Sequence, residues 1–120
     1  MTTQLRVAVC SSDGRMVDEH FGTTTQFLIL DIQEGRTQYV DTRTNEPSCH
    51  PSDGHSADSL ARSLELISDC QILLTVRAGP PVLARLAAQG IKVVQVNASI
   101  ADALGSLIDV HTKEKATASP

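Results

Sequence analysis

Aromatic residues are almost missing from this sequence: Phe21, Phe27 and Tyr39 are all it has, and there is no tryptophan. A core must therefore be built from valine, isoleucine, leucine and alanine, and stacking on bases or sugars is disfavoured as a binding mode. Basic charge is short as well. Ten Lys and Arg stand against fourteen Asp and Glu, for a net charge of −4, so no nucleic-acid partner is expected. No apolar run approaches the ~20 residues that span a bilayer, so no membrane is expected either. Met1-Thr2-Thr3-Gln4 lacks the pattern of a signal peptide. Cysteine is limited to Cys10, Cys49 and Cys70, an odd number at uneven spacing and not a disulfide framework. A reducing cytoplasm with free thiols is the expected home.

What is present is enough for one core. The 120 residues are 41% hydrophobic, which fits a single folded domain. Leu5 to Cys10 reads as a strand, Ser11 to Gly22 as a long polar loop, and Gln26 to Ile32 as an almost wholly apolar interior strand. Glu34-Gly35 predicts a tight turn into an antiparallel partner over about Arg36 to Thr42. After a loop from Arg43 to His55, Ala57, Leu60, Ala61, Leu64 and Ile67 line one face of a helix beginning near Ser56. Gln71 to Val76 is a short strand. Gly79-Pro80-Pro81 opens a second helix, which Gly90 should end in a left-handed cap. Ile91 to Val96 is a fifth strand, and Ser99 can cap a last helix running to about Ile108. Residues 1–110 form the expected domain; 111–120 have no apolar periodicity and are expected to be a disordered tail.

The order β-β-β-α-β-α-β-α, with right-handed crossovers, predicts an α/β fold of the ribonuclease-H-like kind. That is a five-stranded mixed sheet in order 3-2-1-4-5, with strand 2 antiparallel and helices on both faces. The loops after strands 1, 3 and 4 then share the C-terminal edge of the parallel strands, where ligands of open α/β sheets bind. Cys70 falls at the opposite edge.

That edge gathers the candidate residues. His20, in Asp18-Glu19-His20-Phe21-Gly22, is either a surface loop histidine or a metal ligand. Phe21 should anchor the loop, and Gly22 could supply an unusual backbone angle. The loop after strand 3 holds Cys49, His50 and His55 in Pro47-Ser48-Cys49-His50-Pro51-Ser52-Asp53-Gly54-His55. With no C-x-x-C and no zinc spacing, it is either an ordinary polar loop or a source of soft ligands brought beside His20. His20 and Cys49 are the expected metal ligands. Arg15, Arg43 and Arg77 fall in loops at the same edge and could stabilise an anion, as could the start of the second helix. Asp13, Asp18, Glu19, Glu46 and Asp53 partly cancel that field. Cys10 and Cys70 read as core thiols.

No catalytic constellation is visible. There is no P-loop and no G-x-S-x-G elbow. The first strand, Leu5-Arg6-Val7-Ala8-Val9-Cys10, offers no carboxylate for two-metal nuclease chemistry.

Val7-Ala8-Val9-Cys10-Ser11-Ser12-Asp13-Gly14, then Val17-Asp18-Glu19-His20-Phe21-Gly22, then Phe27-Leu28-Ile29-Leu30, resembles the NifX/NafY/NifB C-terminal family of nitrogenase iron–molybdenum-cofactor accessory domains. Asp69-Cys70-Gln71-Ile72-Leu73, the turn at Gly79, and Leu86 through Gly90-Ile91 extend the resemblance to about residues 5–109. The resemblance implies a ribonuclease-H-like fold. It also implies a non-catalytic carrier of the iron–molybdenum cofactor or its iron–sulfur precursor, with nitrogenase cofactor assembly proteins as partners. The histidine of H-F-G, His20, is the implied cofactor contact. Cys49, His50, His55, Arg43 and Arg77 join it as candidate cofactor-binding residues by their place at the same edge. The alternative is a protein-interaction or regulatory domain of this fold that binds no cluster.

Overall fold

Alternating apolar residues and well-placed turn signals produce the strands and helices seen among the described residues. The computed structural model describes residues 4–33, 36–45 and 56–108. Within them lie β1 (Gln4–Cys10), β2 (Gln26–Gln33), β3 (Arg36–Thr44), α1 (Ser56–Leu66), β4 (Ile72–Thr75), α2 (Pro80–Ala88) and β5 (Lys92–Gln95), followed by helix α3 over residues 100–108. The sheet order is β3-β2-β1-β4-β5. β2 runs antiparallel to both its neighbours, while β1, β4 and β5 are parallel. The order and strand directions are those expected from the sequence. Glu34-Gly35 and the tail lie outside the described residues, but Gln33 pairs with Arg36 across the hairpin.

Strand periodicity divides the core in two. Ala8, Cys10, Phe27, Ile29 and Leu73 face α1 and α2 and pack with Leu64, Ile67 and Leu86. Val7, Val9, Leu30, Ile32, Ile72 and Leu74 face the other way, onto Ile100, Ala103 and Leu104 of α3. Two helices thus cover one face and a single helix the other. Among the described residues, no helix is long and apolar enough to cross a membrane.

Local chemistry explains the element ends. α2 closes in a Schellman motif: Gly90 adopts φ +78°, its N–H reaches the Ala87 carbonyl, and the Ile91 N–H reaches that of Leu86. Ser99 caps α3 by accepting the Asp102 N–H on Oγ at 3.1 Å. Two expectations change. β3 extends to Thr44, so Arg43 stands in a strand and not in the following loop. Gly22 does not take a left-handed angle; among the described residues Gly14 and Gly90 do.

An ion network ties the sheet to the turn between α1 and β4. Arg6 on β1 grips Asp31 on β2 through Nε and Nη2, at 2.9 and 3.1 Å, and reaches Asp69 through Nη1 at 2.8 Å. Arg43 on β3 forks onto both Asp69 oxygens at 2.7 and 3.0 Å and donates to the Leu66 carbonyl. The Arg43 guanidinium followed by that of Arg6 holds the Asp69 carboxyl well below the usual carboxylate range.

Candidate functional site at the sheet edge

The loop joining β1 to β2 is folded onto the C-terminal edge by its own side chains. Asp13 accepts the backbone N–H groups of Arg15 and Met16, at 2.8 and 3.1 Å, an Asx-type turn. These bonds, the Arg15 amide first, lower the Asp13 pKa. Gly14 takes φ +78° here, a conformation open to glycine at little cost. Asp18 accepts both the N–H and the hydroxyl of Ser12. Val17, fully buried, donates to the Ala98 carbonyl, and Arg15 accepts from Ile100. This half of the loop is therefore fastened to the start of α3.

The second half is fastened to the end of β4. The Val76 N–H donates to the Glu19 carbonyl at 3.1 Å, and the Phe21 N–H donates to the Arg77 carbonyl at 3.0 Å. The hydroxyl of Thr75, itself fully buried, lies 3.0 Å from the Glu19 carbonyl and 3.2 Å from that of Arg77. The His20 carbonyl accepts from the N–H groups of Thr23 and Thr24. Phe21 is fully buried and packs on Phe27, with ring centroids 5.8 Å apart. His20 itself is exposed. An imidazole in solvent thus stands on a backbone fixed at both adjoining peptides.

Arg77 is exposed beside it, joined through the Phe21–Arg77 bond. Arg43 is not offered to this edge, because its guanidinium is turned along the sheet to Asp69. Cys49, His50 and His55 lie outside the described residues. The stretch leading to them ends at Asn45, which donates from its backbone to the Thr25 carbonyl and from Nδ2 to the Thr24 carbonyl. Ser63 of α1 in turn donates to Asn45 Oδ1 at 2.8 Å. The entrance to that loop is therefore bound to the segment that follows His20.

Cys10 ends β1 beneath the loop. Burial pushes its thiol up to about 12, while the Thr75 and Thr24 hydroxyls beside it pull the other way. It stays protonated at neutral pH, as a core residue. Cys70 is also buried, at the opposite edge, and burial again pushes its thiol up to about 12. Among the described residues, no group of three or more His, Cys, Asp or Glu could hold a metal ion.

The start of α2 is a poorer anion site than its position suggests. Pro80 and Pro81 occupy the first two helical positions, and Gly79 supplies no side-chain cap. Proline has no N–H, so two of the donors an anion would meet are missing, and Ala78 N–H is directed to Gln95 Oε1. Sequence reasoning passed over Thr24, Asn45 and Thr75, which are buried polar residues here. Thr75 carries one visible signal, as the polar member of the apolar run Ile72 to Val76.

Residues 3–110 match the family described as dinitrogenase iron-molybdenum cofactor. The chain belongs to that family. It is 33% identical over 92 residues to protein NifY of Azotobacter vinelandii, covering 77% of this chain and 36% of that protein. It is 32% identical over 107 residues to protein NifX of the same organism, covering 88% and 66%. The chain thus spans only part of the length of these relatives. The apo form of the orange protein from Desulfovibrio gigas shares the fold, with a TM-score of 0.61 at 22% identity over 92% of each chain.

Proposed function

We propose that this domain carries an iron–molybdenum cofactor, or its iron–sulfur precursor, as cargo between nitrogenase cofactor assembly proteins, and performs no chemistry on it. The carrying observation is the exposed imidazole of His20 on a backbone fixed from β4. A preassembled cluster brings most of its own coordination, so one well-held protein ligand can dock it. Neutral imidazole suits iron. Arg77 adds a guanidinium for an anionic cluster. Cys49, as a second metal ligand, and with it His50 and His55 are further proposed contacts from the sequence that follows Asn45. Arg43 leaves the set because Asp69 holds it. Family membership and the naming of the relatives support this reading. The sheet order fits a ribonuclease-H-like assignment, and the two buried, protonated thiols suit a reducing cytoplasm.

The test is anaerobic loading. Purified protein mixed with isolated cofactor or precursor cluster should gain visible absorbance that survives gel filtration. A folded protein that emerges colourless would sink the proposal. A second reading, an interaction domain that holds no cluster, draws on β3, whose residues are almost all exposed along an edge of the sheet. In that case an assembly partner would bind equally well after His20 and Cys49 are both replaced.

A further inference from the structure

We infer that Thr75 is the positioning residue of His20: its buried hydroxyl, bridging the Glu19 and Arg77 carbonyls, sets the backbone from which the imidazole is presented. The inference rests on reading His20 as the ligand, and it adds a residue that touches no cargo.

The two peptide planes that meet at the His20 Cα determine where its side chain can go. The first contains the Glu19 carbonyl, which receives Val76 N–H at 3.1 Å and faces Thr75 Oγ1 at 3.0 Å. The second contains the His20 carbonyl, which receives Thr24 N–H at 2.9 Å, and the Phe21 N–H, which donates to Arg77. Most of these contacts are backbone to backbone and survive any substitution. Thr75 is the side chain that reaches both carbonyls across the gap between loop and strand, 3.0 Å from one and 3.2 Å from the other. A hydroxyl has one proton, so it donates to one of the two at a time. It has no solvent to turn to, being fully buried.

The hydroxyl's role is separable from folding. Both carbonyls keep a backbone donor when it is removed, and valine has nearly the same shape and the same preference for a strand. Thr75→Val should therefore leave the sheet in place and loosen the loop. Thr75→Ser keeps the hydroxyl and should restore it.

Amide exchange on the unloaded protein provides a readout independent of cargo. In Thr75→Val, exchange at Phe21 and Val76 should rise about fivefold, the value of one net hydrogen bond. Amides between β1 and β2 should stay as in the parent, and the His20 ring signals should shift and sharpen. Thr75→Ser should match the parent. Unchanged exchange at Phe21, an equal rise throughout the sheet, or a Thr75→Val chain that fails to fold would each overturn the inference. In the loaded protein, Thr75→Val should release cofactor about fivefold faster than parent or Thr75→Ser. Equal release beside faster exchange also overturns it. If the parent takes up no cofactor, the carrier function falls, and exchange and ring signals alone decide whether Thr75 sets His20.

Discussion

At the scale of single residues, His20 and Phe21 are neighbours with opposite duties. The imidazole is in solvent, so His20→Ala should change stability by no more than about 0.5 kcal/mol. The same change should abolish retention of a loaded cofactor, measured as visible absorbance after gel filtration. Phe21→Ala removes a fully buried ring from its contact with Phe27 and should cost about 3 kcal/mol or more in urea unfolding. Scaffold and ligand then separate cleanly: one variant melts early, the other melts normally and runs colourless. The sequence made this pair readable, because H-F-G closing a polar loop before an apolar strand leaves the ring of Phe21 one place to go. It did not make Arg43 readable. A guanidinium at the end of a strand can serve an anion or a neighbouring carboxylate, and only the spatial approach of Asp69, far along the chain, decides between them.

Elements are held by contacts whose strength depends on conditions. Asp69 is pulled well below its ordinary pKa by Arg43 and Arg6. Its folded-state value lies below its unfolded one, so its contribution is fully present above the unfolded value, about 3.9, and is lost as pH falls toward the folded value. The melting midpoint should therefore drop as the medium is acidified below about pH 4. Asp69→Asn should melt lower than the parent at neutral pH and show less of that drop. Side-chain exposure of 42% at Asp69 means that added salt should shrink the difference between the two. Gly90 gives a different test. Nothing lies within 4 Å of a Cβ built there, yet its φ is +78°, so Gly90→Ala meets no steric wall and should cost on the order of 1 kcal/mol from backbone strain alone. Urea melts would measure it. The helix end at Gly90 and the cap at Ser99 were legible because each depends on one residue type at one position. The extension of β3 through Thr44 was not, because the strand is exposed along nearly its whole length and so carries no hydrophobic alternation to mark its end.

For the whole molecule, sheet order followed from element order and crossover handedness. The edge carrying His20 followed from sheet order. The buried hydroxyls and the Asn45 amide behind the site did not, since threonine and asparagine are mostly exposed and nothing in the sequence marks the ones that are buried. The family match ends at residue 110, and Leu107 and Ile108 still pack against the second core. A chain ending at Val110 should thus keep the parent melting midpoint, whereas one ending at Ala98 loses α3, bares Val7, Val9 and Leu74, and should aggregate, as light scattering would report. The fastening of the His20 loop to β4 has a consequence for the order of events during synthesis. The imidazole is made before Thr75, Val76 and Arg77, and its seat is completed only when these follow and β4 docks against β1. A nascent chain short of that point exposes the histidine without the geometry. Under the proposed carrier role, capture of a cluster would wait until β4 has docked, and a chain short of that point would not compete for it.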